Sequence, residues 1–329
     1  MNSSTSSSKP APAGWWSSSE WKVILVLALM LLGSEIFLRI IERHLSIDVA
    51  HIRAAPALAA SIRQGEGLPA GTLKVLFIGN SSIRRGLLPE TLVTEFKSRF
   101  GQKIQPYFFY PDGGTILAWR WGWRRYFESP DCRPDLVVIC GGASHFDDGV
   151  IDPRVAASYF VSAKDMGAFW MDDLETTEKR LEFVVAKASL SYASRRRVQR
   201  RLMDFVMPYN REVLFDVVAS TEAKEARKKV LRASQPTSES LRSLLEEIHG
   251  RRLKALVVAV PNLTPYDVPV ERVKIIEASG ASFADHRTVP GIGPELFYDR
   301  AHLDQDGAEI FTRALCSSLH EALPPRRAP

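Results

Sequence analysis

Three short apolar runs, KVLFIGN, DLVVICGG and LKALVVAVPN, constrain the fold of this chain more than any other feature. Each is too short for a buried helix, is rich in β-branched residues, and closes on glycine or a small polar group. That pattern reads as a strand buried on both faces. Such strands belong to parallel sheets covered by helices on either side. KIQPYFFY adds another strand-like run and ASFADH a short fifth, while PETLVTEFKSRF and AEIFTRALCSSLHEAL carry apolar residues at helical spacing. The expected fold class is α/β, a parallel sheet with helices on both faces. Residues 150–250 interrupt the alternation and read as a mostly helical, charged insertion that caps the sheet. Over 329 residues, 45% hydrophobic and 25% charged composition excludes a wholly disordered chain, collagen and a coiled coil. Cys132, Cys140 and Cys316 have neither the number for a disulfide framework nor zinc-site spacing. No metal site and no cofactor is expected.

The N-terminal fifth is separate from this pattern. Residues 1–20 are rich in Ser, Pro and Ala and are expected to form a disordered tail. Residues 21–41 hold the uninterrupted apolar run from Val23 to Leu32 and extend to Ile41, enough for one transmembrane anchor. A cleaved signal peptide and a buried or interfacial helix are the alternatives. Trp15, Trp16 and Trp21 suit an interfacial belt. Glu35 is costly in lipid and is expected near the far interface or against a partner helix. Residues 42–71 read as a linker of helical character, and 72–329 as the main domain.

In parallel sheets, sites form beyond the carboxyl ends of the strands. Three strand ends here carry small polar groups: Gly79-Asn80-Ser81-Ser82, Gly141-Gly142-Ala143-Ser144 and Pro261-Asn262. A serine at such a corner can present its hydroxyl, while its backbone N–H faces a developing oxyanion. It needs a base. Asp299 and His302, three residues apart just before the last helix, can supply an imidazole and a carboxylate that orients it. Ser81, Asp299 and His302 are the candidate catalytic residues.

With these residues in place, VLFIGNSS resembles the first block of the SGNH/GDSL hydrolase superfamily, where Gly-Asp-Ser carries the nucleophile; Asn80 stands at the Asp position. DRAHLDQDGAEIFTRAL is similar to the last block, Asp-x-x-His before the closing helix. The resemblance covers roughly residues 72–149 and 253–320. It implies a flavodoxin-like SGNH-hydrolase sheet and an oxyanion hole. Gly113 or Gly114 falls at the block-two glycine, with Gly114 taken as the donor. Block three, usually Gly-x-Asn-Asp, reads GGASHFDD here, so Ser144 stands nearest the missing Asn. Joined to an N-terminal anchor, the chain resembles membrane-anchored acyl-transfer accessory proteins of bacterial envelopes, such as alginate O-acetyltransferases. That likeness implies a serine acyl-transferase or esterase acting on an envelope or exported polysaccharide. It also implies a membrane-bound O-acyltransferase partner, and a single-pass inner-membrane protein whose domain is periplasmic. Counting charges alone, Lys9 and Lys22 against Arg39, Arg43 and Arg53, puts the domain inside. A plain esterase or lipase using water is one alternative, and a non-catalytic glycan-binding or scaffold subunit another.

Other features read more plainly. His145 is expected as a locally hydrogen-bonded loop histidine and Asp147-Asp148 as solvated loop acids. Trp119, Trp121 and Trp123 cannot share one helix face, so a mixed core and surface role is expected, with a glycan-facing aromatic patch as the alternative. Asp304 and Asp306 read as charge complements of the last helix. The formal charge of +5 is local: residues 191–230 hold ten Lys/Arg against five acids, which equals the whole excess. A solvated helix face is the plain reading and anionic lipid headgroups the functional one. No reading motif for nucleic acid accompanies the charge.

Overall fold

The computed structural model describes residues 19–65, 67–207 and 237–323. Five parallel strands form one sheet: β1 (Leu73–Ile78), β2 (Ile104–Phe109), β3 (Leu136–Gly141), β4 (Lys254–Ala259) and β5 (Ser282–Asp285). Their order, β2-β1-β3-β4-β5, is the flavodoxin-like arrangement. Successive residues of β1 alternate between two cores. Val75 and Phe77 face one, built with α3 (Ser81–Gly86), α4 (Pro89–Phe100) and the final helix; Leu76 and Ile78 face the other. Pro106 is tolerated because β2 is an edge strand and pairs only with β1. Ile78 is level with Ile139, and Gly141 with Ala259. The small-residue ends of β1, β3 and β4 therefore share one edge of the sheet.

The second core is closed by helices that sequence reading placed outside the domain or in its insertion. α1 (Ser19–Leu45) is followed directly by α2 (Ile47–Gln64). Val49, Ile52, Ala55, Ala59 and Ile62 of α2 recur at helical spacing and are buried in the core. The segment expected as a linker is thus a packed helix. Its apolar stripe is interrupted by alanines, which weakens the pattern in the sequence but suits a close approach to the sheet. α5 (Ile116–Gly122) continues into a π turn, Trp123–Phe127. Trp119, Trp121 and Trp123 are all fully buried, which corrects both the mixed role and the aromatic patch expected for them. The change from i+4 to i+5 bonding shifts the angular phase, and the insertion covers the side of α5 away from the sheet.

The insertion contains α6 (Pro153–Val155), running into a π turn at Ala156–Phe160. It continues with α7 (Met166–Asp172), α8 (Thr177–Ala188) and α9 (Leu190–Val206). α10 (Glu239–Gly250) returns the chain to β4; α11 (Val270–Ala278) and α12 (Gln305–Ala322) complete the layers. Of the ten expected basic residues, Arg195, Arg196, Arg197, Arg200 and Arg201 lie on α9; the other five fall outside the described residues.

The large apolar side chains of α1 from Val23 to Leu32 are exposed, whereas its C-terminal part packs on the domain. Glu35 meets the N-terminus of α9, accepting from Leu190 N–H at 2.8 Å, Ser191 N–H at 3.0 Å and Ser189 Oγ at 3.1 Å. A carboxylate at a helix N-terminus complements the unpaired N–H groups there. Buried Glu42 accepts two bonds from Arg53, at 3.1 and 2.8 Å, and one from the Tyr159 hydroxyl. If α2 is part of the core, Ile52→Ala lowers unfolding free energy by about 2–5 kcal/mol. Exposed Ala54→Ser stays within about 0.5 kcal/mol. Denaturant titration of the full chain in neutral detergent measures both; equal values for the two variants contradict the packed α2.

Candidate active site

The candidate nucleophile sits where β1 turns sharply into α3. A Cβ on Gly79 would lie 2.8 Å from Ile83 Cγ1 and 3.1 Å from the Cys140 carbonyl oxygen, so the corner has no room for a side chain. Asn80 is buried and caps α3: its Oδ1 accepts from Ser82 N–H at 3.0 Å, and its backbone carbonyl accepts from Ile83 and Arg84. Its Nδ2 donates to the Gly114 carbonyl at 3.4 Å. An aspartate could make the first contact, but it would place a carboxylate oxygen against the Gly114 carbonyl. The amide of Asn80 fits both. Ser81 opens α3, and its backbone N–H has no hydrogen-bond partner among the described residues.

His302 and Asp299 stand on a tight loop before α12. A bridge pairs Phe297 with Leu303, and Tyr298 N–H donates to the His302 carbonyl at 2.9 Å. Leu303 is buried beside Gly86 of α3, which seats the loop on the helix carrying Ser81. Asp304 caps α12 by accepting from Gly307 N–H at 2.8 Å. Within this frame His302 Nε2 lies 2.9 Å from Ser81 Oγ. His302 Nδ1 lies 2.8 and 2.9 Å from the two Asp299 carboxylate oxygens. A carboxylate only accepts, so Nδ1 carries the hydrogen and Nε2 of the neutral ring accepts from the Ser81 hydroxyl. Partial burial raises the Asp299 pKa, but hydrogen bonds from Ala301 N–H and from His302 outweigh it and hold the carboxyl below its usual range.

The expected oxyanion donors fare differently. Gly114 N–H is already committed to the Pro111 carbonyl at 2.9 Å, closing a turn in which Gly113 takes φ +67°. A bond formed inside the loop occupies that N–H, so this structure does not present Gly114 as a free oxyanion donor. Glycine is still required at 114, because a Cβ would lie 2.8 Å from Pro111 O and 2.9 Å from the Trp119 indole nitrogen. The side chain of Ser144 lies outside the described residues. His145 Nδ1 accepts from Gly142 N–H at 3.1 Å, the local bond expected of it. Burial lowers its pKa, so this ring is neutral with its hydrogen on Nε2. Asp147 and Asp148 are structural rather than solvated. Asp147 pairs with buried Arg272, and Asp148 accepts from Glu239 and Ser240 N–H at the start of α10.

Sequence reading missed the contacts that α2 makes with the loop holding Gly114. Asp48 Oδ1 accepts from Asp112 N–H at 2.8 Å, and His51 Nε2 accepts from Tyr110 N–H at 3.0 Å while its ring stacks on Tyr110. Arg84, one turn after Ser81, holds Asp112 with two bonds at 3.1 and 2.8 Å. Burial, reinforced by the nearby Asp112 charge, pushes the Asp48 carboxyl up. No spacing in the sequence links residues this far apart; the only local sign was a pair of arginines following the serine.

The molecule is an α/β protein with a Ser–His–Asp constellation at the carboxyl edge of its sheet. No family model and no curated protein matches the chain. Among solved structures, it is similar to an acetylxylan esterase from Geobacillus stearothermophilus, at 15% identity over 79% of this chain and 100% of that one, with a TM-score of 0.39. It is also similar to an alpha/beta hydrolase from the metagenome of Lake Arreo, at 12% identity over 77% of this chain and 97% of that one, with a TM-score of 0.38. Likeness of this degree bears on neither substrate nor reaction.

The Asp299 shift sets a pH dependence with a definite sign. A carboxyl whose folded pKa is depressed contributes stability that is present above its unfolded pKa, about 3.9, and lost as pH falls through the folded value. The stability difference between wild type and Asp299→Asn is therefore full above about pH 4 and shrinks below it. Thermal unfolding across pH 2.5–7 reads this, and a difference that does not shrink in acid contradicts the carboxylate–imidazole pair.

Proposed function

We propose that the chain is a membrane-anchored SGNH-type serine esterase or acyl-transferase that handles acyl esters of an envelope or exported polysaccharide. The observation that carries the proposal is the hydrogen-bonded chain from Ser81 through His302 to Asp299 at the carboxyl edge of the sheet. In this reading His302 Nε2 takes the hydroxyl proton as Ser81 Oγ attacks the acyl carbon. Asp299 holds the ring tautomer and stabilises the imidazolium. The imidazolium then protonates the departing alcohol, leaving an acyl-serine. A sugar hydroxyl or water, deprotonated by the same Nε2, attacks the acyl carbon and restores the enzyme. Ser81 N–H faces the oxyanion. A hole lacking one donor typically loses two to three orders of magnitude in rate, so slow turnover is expected.

The anchor reading is supported by the exposed apolar run of α1, a helix of 27 residues, about 40 Å long at 1.5 Å per residue. Glu35, the residue least suited to lipid, is satisfied by α9, and Glu42 is buried with Arg53 and Tyr159. Loss of α1 by cleavage would leave these partners unpaired, which favours an uncleaved anchor over a signal peptide. The transfer step, the polysaccharide acceptor, the membrane-bound O-acyltransferase partner and the extracytoplasmic location rest on the resemblance of the anchor and the two sequence blocks.

A second reading, a non-catalytic scaffold or glycan-binding subunit, is favoured by the commitment of Gly114 N–H within its turn together with the missing block-three Asn. One experiment separates the readings. The full chain in detergent is given an aryl acetate with and without an oligosaccharide acceptor. Ester cleavage is expected, with loss of about a thousandfold or more in Ser81→Ala. Acetyl appearing on the oligosaccharide supports transfer, and release as acetate alone supports the plain esterase. Cleavage that survives in Ser81→Ala contradicts the assignment of the nucleophile.

A further inference from the structure

We propose that a cavity at the domain end of α1 binds the phosphate group of an anionic membrane lipid. It has a volume of about 400 Å³, within the range of small-molecule sites, and Arg39, Arg43, Arg53 and Lys187 line it together with one carboxylate, Glu42. The lining thus carries a net charge of +3. Glu42 is already engaged, accepting from both Arg53 and the Tyr159 hydroxyl. The cations keep unused donors. Among the described residues, Arg53 bonds Glu42 through Nε and Nη2 and leaves Nη1 unbonded, and Arg39 bonds Glu35 through Nη2 only. Lys187 Nζ donates to the Ala157 and Val161 carbonyls, which fix the ammonium and leave its third hydrogen. Arg43 has no ion-pair or hydrogen-bond partner among the described residues. Forked guanidinium donors around a fixed ammonium match the oxygens of a phosphate monoester or diester.

Position along α1 identifies the source of that phosphate. Arg39 and Arg43 follow Leu32, the last residue of the uninterrupted apolar run, by about 10 and 16 Å at 1.5 Å per residue. About 20 residues cross the hydrocarbon layer, so a span starting at Trp21 brings Arg39 to its edge and Arg43 among the headgroups. The junction of α8 and α9, carrying Lys187 and Leu190, lies at the level of Glu35 through the bonds of Ser189, Leu190 and Ser191. α8, which ends at this junction, exposes Leu181 and Val184. Arg39 and Arg43 thus put the α1 wall of the cavity at headgroup depth. This choice of source rests on the anchor reading above; the phosphate site itself does not.

The test uses the full chain in neutral maltoside detergent. It is titrated separately with dioctanoyl phosphatidylglycerol, dioctanoyl phosphatidylcholine and inorganic phosphate, with binding read by thermophoresis and by the shift in thermal unfolding. Phosphatidylglycerol is expected to saturate and to raise the unfolding temperature. Arg43→Glu, an exposed and unpaired position, weakens it about tenfold or more, and Arg43→Lys retains most of it. Inorganic phosphate binding as tightly, with the same dependence on Arg43, supports the site and assigns it to free phosphate. No saturation by either probe, equal binding of phosphatidylcholine, or an unchanged affinity in Arg43→Glu overturns the proposal. Carbonate extraction of cell membranes tests the anchor separately, so a soluble chain that still binds phosphate is distinguished from an anchored chain that does not.

Discussion

The side chain of Asn80 joins the two loops between which the candidate nucleophile stands. One end of its amide caps α3 and so fixes where Ser81 begins the helix; the other end holds the Gly114 carbonyl. Gly79 allows the chain to turn at the end of β1, and Leu303 locks the Asp299–His302 loop onto the same short helix. The 2.9 Å approach of His302 to Ser81 therefore depends on packing and capping contacts on both sides of it. Reach of this order is what proton transfer between a hydroxyl and an imidazole requires.

The same loop couples the site to the N-terminal helices. Asp112 is held from one side by Arg84 of α3 and from the other by Asp48 of α2. α2 begins immediately after α1, and α1 is tied to the insertion through Glu35 and Glu42. An unbroken series of hydrogen bonds and ion pairs thus runs from the apolar helix to the residues beside Ser81. The helix that reads as an anchor is built into the domain rather than tethered to it.

The sheet was legible because β1, β3 and β4 are apolar on both faces and close on glycine or a small polar group; all five runs became strands, and the flanking amphipathic segments became helices. Ser81, Asp299 and His302 were legible as a group because the serine ends the first strand and the Asp/His pair precedes the last helix, an order that brings them to one sheet edge, where the structure sets them within hydrogen-bond reach. Three features were not. The burial of α2 was obscured by an alanine-rich stripe that resembles a solvent-exposed helix. The burial of all three tryptophans of α5 depends on a π turn and on cover from an insertion far along the chain, neither of which has a local signature. The Gly114 donor was inferred from a motif position, whereas availability of an N–H depends on the turn geometry around it. For α2 and the tryptophans the deciding contact is tertiary; for Gly114 it is a bond within its own turn.

The central claim is that Ser81 is an activated nucleophile and not a helix-capping hydroxyl. Covalent labelling tests it most directly: the full chain is treated with a fluorophosphonate, digested, and the modified peptide identified by mass spectrometry. The account predicts near-stoichiometric modification of Ser81, abolished in Ser81→Ala and strongly slowed in His302→Ala. Absence of label on Ser81 in folded wild-type protein, or labelling that persists at full rate without His302, would contradict it.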